Sequence, residues 1–323
     1  MSEIVLEVRR LRKDFHTKKG ILKAVNDVSF AIPKAETLGL VGESGCGKTT
    51  TGRAVIRLLE ATGGEILFEG NDIRKLDHKG LREMRKHMQI IFQDPFASLD
   101  PRLSVSETIR EPLDIYGIGT AAERADKVAE LMSLVGLAER LANSYPHELD
   151  GGRRQRVGVA RALSLEPKFI VCDEPVSALD VSIQAQILNL IQDLQEKLGL
   201  TYLFISHDLS VVKHISRRIA VMYLGKIVEI TKSAEIFKNP LHPYTKALLS
   251  AIPIPKVGMK RDRVILEGDV PSPINPPPGC IFAGRCKFAM PKCRERDPAL
   301  TEVSESHEVK CFLYSDKEQG GAE

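Results

Sequence analysis

No stretch of the 323-residue sequence approaches the roughly 18 to 20 uninterrupted apolar residues that a membrane-spanning helix requires. The start, MSEIVLEVRRLRKDF, also lacks the apolar centre of a secretory signal, so the expectation is a chain that stays in the cytosol. A strong excess of either charge is missing too: 46 basic residues face 43 acidic ones, and a net charge of +3 gives no electrostatic reason to bind nucleic acid. There is no internal repeat and no long coiled-coil insertion. Six cysteines in a chain of this length and compartment argue for buried thiols or metal ligands over a disulfide framework. Apolar residues, 43% of the chain, suffice for a full core, and the length exceeds one average domain, so a main domain with a substantial appendage is expected.

Extended runs alternate with helical patterns through the first 240 or so residues, the pattern of a layered α/β domain with a largely parallel sheet. Strands are expected at 37–41, 89–92, 168–172 and 202–206, several ending at polar residues, and ligands of open α/β sheets gather at such carboxyl ends. Between Asp94 and Glu148 strand-like runs disappear, and Val128, Leu131, Met132 and Val135 recur at the spacing of a helix with one buried face. This predicts a helical insertion at about 94–160 within a main domain spanning 1–252. The next stretch carries Pro253, Pro255, Pro271, Pro273, Pro276, Pro277 and Pro278, which cannot hold a helix and favours extended geometry. Residues 253–279 therefore read as a connector to a small cysteine module at 280–323, with 317–323 as a frayed tail.

Gly42-Glu43-Ser44-Gly45-Cys46-Gly47-Lys48-Thr49 fits the phosphate-loop pattern of glycine, four residues, then Gly-Lys-Ser/Thr, and it follows an apolar strand and precedes a helical pattern. Backbone N–H groups freed by the glycines converge on phosphate oxygens, aided by the positive end of the helix dipole. Lys48 then reaches the β and γ phosphates and Thr49 ligates magnesium, with Ser44, Gly45, Cys46, Gly47 and Thr50 lining the nucleotide; Cys46 is a small filler without chemistry of its own. The buried run from Phe169 ends in Asp173 and Glu174. Adjacent acids at a strand end repel and desolvate unless employed, and with a phosphate loop upstream Asp173 serves to hold magnesium and Glu174 to polarise the attacking water.

At Leu149-Asp150-Gly151-Gly152-Arg153-Arg154-Gln155-Arg156-Val157 the chain resembles the signature motif of ATP-binding-cassette proteins. The other landmarks of that family fall in its order: Gln93 resembles the glutamine that senses magnesium, residues 177–180 the D-loop with Asp180, His207 the switch histidine that meets the γ phosphate, and Phe15 the aromatic that stacks on adenine. The segment from Gly268 to Cys280 looks like the tail of the oligopeptide and dipeptide importer ATPases. The resemblance implies a RecA-like phosphate-loop nucleoside-triphosphatase core of the α/β class, with an antiparallel β subdomain, a helical insertion and a small cysteine-rich C-terminal module. It implies ATP and Mg2+ as ligands, and a dimer in which the partner's signature helix, here Asp150, Gly151, Gly152 and Arg153, closes each phosphate loop. The partners implied are a second ATPase, identical or paralogous, two membrane permease subunits touched around Gln93 and 96–102, and an extracytoplasmic substrate-binding protein. The place implied is the cytoplasmic face of the membrane. Nickel chelates, glutathione or sugars stand as alternative cargoes, and a soluble cassette ATPase or a regulatory half-engine as alternative roles.

Two positions depart from the family pattern: Asp150 stands where serine is usual, and Arg153 where glutamine is usual. Aspartate caps a helix as well as serine does, but beside a γ phosphate it repels, and Arg153 one turn on offsets part of this. The expectation is a slowed or altered site wherever this signature closes the partner's loop.

Cys280, Cys286, Cys293 and Cys311 form a C-x5-C-x6-C-x17-C set, a candidate four-ligand site stapling a module too small for its own core. Zinc sites favour shorter spacings, whereas a four-cysteine iron-sulfur cluster tolerates these, and relatives with this tail are associated with a [4Fe-4S] cluster. Zinc and unliganded thiols remain open, with His307 as a substitute ligand or a surface residue.

Overall fold

Residues buried on both faces build the first unit, formed by 1–5, 32–36 and 75–205. Phe169–Asp173 is buried at every position, as is Thr201–Ser206, the pattern of parallel strands covered by helices on both sides. The two strands run parallel, Phe169 opposite Thr201 and Asp173 opposite Ile205. Met88–Ile91 adds to the other edge of Phe169–Asp173, Met88 opposite Phe169 and Ile91 opposite Cys172. The structure is a computed structural model that describes residues 3–252, 264, 266, 268, 270–276 and 278–315. Pro253, Pro255 and Pro277 of the expected connector, and the expected frayed tail at 317–323, lie outside the described residues.

This unit has no strand between Asp94 and Glu148. Its helices Val105–Tyr116 and Ala121–Leu134 both start with a capping box, Ser104 with Glu107 and Thr120 with Glu123, each box satisfying backbone donors that the first turn leaves open. Val128, Leu131 and Met132 are buried, as is Val135 just past the helix end. A third helix, Gly151–Leu163, is capped by Asp150 and packs on both of them.

The second unit comprises 6–31, 37–74 and 206–323. It holds an antiparallel sheet in the order Gly20–Pro33, Ile4–Thr17, Gly63–Phe68, Asn71–Asp72, with Leu6 opposite Phe68. Its second set of strands starts with Thr37–Val41, buried throughout and parallel to Arg218–Tyr223. Lys226–Lys232 returns antiparallel to Arg218–Tyr223, through a tight turn in which Gly225 takes φ 81°. The C-terminal segment then extends this ladder: His307–Val309 pairs with Lys226–Lys232, and Thr301–Ser304 pairs with His307–Val309. The described part of the proline-rich segment meets Gly20–Pro33, Leu22 forming an isolated antiparallel bridge with Ile274. Asn275 N–H donates to Ile21 O at 3.0 Å and Lys23 N–H to Pro273 O at 3.2 Å, so it lines the edge of Gly20–Pro33. Among the described residues no helix is long and apolar enough to cross a membrane.

Candidate active site

The strand Thr37–Val41 runs straight into Gly42, and the helix Lys48–Val55 begins at Gly47. Gly47 has φ 105°, and a Cβ there would meet Ala24 O at 2.1 Å, so both backbone and space demand glycine. Gly47 caps the helix without any side-chain bond, and a helix N-terminus behind a glycine-rich turn suits an anion. Lys48 is only 4% exposed, and its Nζ donates to Gly42 O at 2.9 Å and Glu43 O at 3.1 Å, arching the ammonium over the loop. Thr49 and Thr50 are half-buried on the first turn, and Ser44 and Gly45 are exposed. Cys46 is buried, and burial pushes its thiol up, so it stays neutral and fills space, as its small size suggests.

Phe15 is half-buried on Ile4–Thr17, with Lys13 Nζ 4.9 Å from its ring centre. His207 is exposed directly after Thr201–Ser206. The turn that presents it is fixed by Asp208, whose N–H donates to Ser206 Oγ at 3.0 Å and whose carboxylate accepts from Ser210 N–H at 2.7 Å.

The acidic pair sits in the first unit. Asp173 ends its strand at 1% exposure. Glu174 then takes φ 48°, a left-handed conformation that an L residue adopts at a cost of about 1–3 kcal/mol and that concentrates at functional sites. Its N–H donates to Ile205 O at 3.1 Å, continuing the ladder, and its carboxylate accepts from Gln93 Nε2 at 3.2 Å. The glutamine expected to sense magnesium and the acid expected to polarise water are thus brought together. Asp150 caps the signature helix, its Oδ1 accepting from Arg153 N–H at 2.8 Å, and its Oδ2 lies 3.5 Å from Arg153 Nε. Gly152 leaves no room for a side chain, since a Cβ would come within 2.7 Å of Ile183 Cγ2, and a Cβ on Gly151 would come within 3.0 Å of Leu179 Cδ2. The signature therefore packs against the segment that carries Asp180, which is exposed and starts Val181–Leu198 without a side-chain cap.

The four cysteines expected to hold a metal, Cys280, Cys286, Cys293 and Cys311, all lie among the described residues. Among the described residues no group of three or more His, Cys, Asp or Glu is placed to hold a metal ion. All four are free thiols. Burial pushes the Cys280 thiol up to about 11 and raises Cys286 and Cys311, which favours S–H over the thiolate that metals bind. His307 is neither ligand nor surface residue. At 1% exposure it bonds Glu229 through Nε2 at 2.8 Å, and the same fully buried carboxylate accepts from the N–H groups of Leu241 and His242, both at 2.8 Å. That network fastens His307–Val309 to the strand it extends.

Two residues that carry no motif, Tyr244 and Arg285, hold Glu43 of the phosphate loop. Glu43 N–H donates to the hydroxyl of fully buried Tyr244 at 3.0 Å, and its carboxylate meets Arg285 Nη1 at 3.2 Å. Only the position of Glu43 inside the loop pattern hints at such a role.

A family profile described as "ABC transporter" matches residues 25–177, and one described as "Oligopeptide/dipeptide transporter, C-terminal region" matches residues 228–293. The chain is 54% identical to the "Oligopeptide transport ATP-binding protein AppF" of Bacillus subtilis, over 97% of this chain and 98% of that one. It is 53% identical to the "Oligopeptide transport ATP-binding protein OppF" of Haemophilus influenzae, over 96% and 97%. Among solved structures it resembles the "Dimeric structure of a post-hydrolysis state of the ATP-binding cassette MJ0796 bound to ADP and Pi", with a TM-score of 0.65 and 29% identity over 71% of this chain and 98% of that one.

Proposed function

Because the chain belongs to the ABC transporter family, we propose that it is the ATP-hydrolysing subunit of an importer that takes up di- and oligopeptides through separate membrane subunits. The observation that carries this reading is kinship with oligopeptide transport ATP-binding proteins over nearly the whole chain, including the C-terminal region named for that transport. In it, the loop amides and Lys48 bind the triphosphate, Phe15 stacks on the adenine, and His207 meets the γ phosphate. Glu174 accepts a proton from the attacking water, oriented with Gln93. Thr49, Asp173 and Gln93 offer the hard oxygen donors that suit magnesium, which when bound neutralises phosphate charge. Asp150, Gly151, Gly152 and Arg153 face the partner's nucleotide, with Asp180 beside that seam.

The partners of this reading are a second ATPase, two permease subunits and an extracytoplasmic substrate-binding protein, with the chain peripheral on the cytoplasmic face. Solubilised from its native membrane, the chain is expected to co-purify with a second cassette ATPase and two membrane subunits. Its ATP turnover in vesicles is expected to rise with peptide and binding protein, and not with nickel chelates, glutathione or sugars. Stimulation by one of those cargoes instead of peptide would overturn the peptide reading.

For the four cysteines we retain a [4Fe-4S] cluster as a structural staple, with zinc as the competing outcome. What supports it is the chemistry of the donor set, four thiols within residues 280–311. Anaerobic purification is expected to give a brown protein with broad visible absorption, four irons per chain by the cluster's own stoichiometry, and bleaching by chelation. A colourless chain that contains zinc, or no metal, excludes the cluster.

A further inference from the structure

The turn Ala283–Arg285 delivers Arg285 from the cysteine segment to the phosphate loop. One guanidinium nitrogen, Nη1, lies 3.3 Å from Glu43 Oε1 and 3.2 Å from Oε2. The Arg285 side chain is only 11% exposed and that of Glu43 30%, so this pair is far less solvated than the surface ion pairs that contribute almost nothing. The turn itself is anchored. Phe282 is 1% exposed, with its ring centre 5.3 Å from that of Tyr223 at a right angle and 5.6 Å from that of Tyr244. Tyr244 in turn holds the Glu43 amide, and Lys48 holds the Glu43 carbonyl at 3.1 Å. Glu43 is therefore tied at its N–H, its C=O and its carboxylate, and two of those three ties lead outside the loop.

A carboxylate carried on a loop that holds a triphosphate is electrostatically unfavourable, because like charges near each other in a partly buried site repel strongly. Arg285 removes that charge from the balance. Resting on the ATP-binding reading above, we propose that Arg285 is a positioning residue for the nucleotide: it neutralises and holds Glu43, so that the C-terminal cysteine segment sets how well the phosphate loop accepts ATP. The segment's order and the loop's affinity are then linked through one side chain, adjacent in sequence to Cys286.

The test is a double-mutant cycle on the full chain, with Mg·ATP binding read by calorimetry and folding checked by melting. Arg285→Ala is expected to weaken Mg·ATP binding about tenfold, the Coulomb effect of one exposed carboxylate. Arg285→Lys retains most of the affinity. Arg285→Ala combined with Glu43→Gln returns affinity to within about threefold of wild type, since non-additivity is the mark of residues acting on one another. A purely architectural Arg285 gives no such rescue, so a double variant as weak as Arg285→Ala overturns the inference, as does unchanged affinity in Arg285→Ala. A wild-type chain that binds no Mg·ATP instead overturns the ATP-binding reading beneath it.

Discussion

Replacing Glu174 by glutamine is expected to lower ATP turnover of the assembled transporter by about 10²–10⁴, the contribution of a positioned general base, while ATP affinity changes by less than about threefold. Glutamine keeps the length and shape of the side chain. The backbone that aims it is set independently, by the Glu174 N–H bond to Ile205 O and by φ 48°. The amide also stays within reach of Gln93, whose Nε2 now lies 3.2 Å from the carboxylate, so the local geometry survives the change. What disappears is the capacity to take a proton from water. Phosphate release measured beside nucleotide binding separates these effects: near-normal turnover removes Glu174 from the role of base, and lost binding with lost turnover points to collapse of the strand end.

Local features of this architecture were legible because their causes are local. Thr37–Val41 is buried throughout, and a short, mostly apolar run after Glu36 fits a covered strand. Two other strands lie one residue from their expected bounds, Met88–Ile91 and Phe169–Asp173, because ladder pairing and not composition ends a strand. The Asp150–Arg153 contact spans three positions, so helical spacing alone carries it. The long-range pairs had no such signal. Arg285 and Glu43 are 242 residues apart, and His307 and Glu229 are 78 apart; each is an ordinary polar residue until the fold pairs it. His307 illustrates the error this invites, since a histidine near four cysteines suggests a ligand, whereas burial against a carboxylate gives it a structural partner. The left-handed backbone of Glu174 is equally silent in sequence, because it follows from where the neighbouring strand offers Ile205 O.

Asp150→Ser is expected to raise ATP turnover of the assembled transporter by about 3- to 30-fold. Two unit charges 4 Å apart at an effective dielectric of 20 repel by about 4 kcal/mol, the scale of the conflict when this signature closes over a partner's γ phosphate. The ion pair to Arg153 at 3.5 Å offsets part of it. With the two side chains 60% and 47% exposed, solvent screens both the repulsion and its compensation, so the net effect falls well below the bare figure. Serine caps helix N-termini as well as aspartate, and the bond now made by Arg153 N–H at 2.8 Å has a ready acceptor in the serine hydroxyl, so the helix Gly151–Leu163 should keep its stability. The gain then reports charge and not folding. In the proposed dimer it belongs to the nucleotide on the partner's loop, while a paralogue with serine in its signature is expected to leave the nucleotide at this chain's Lys48 competent. Unaltered ATPase and transport rates in Asp150→Ser would show that Asp150 meets no phosphate.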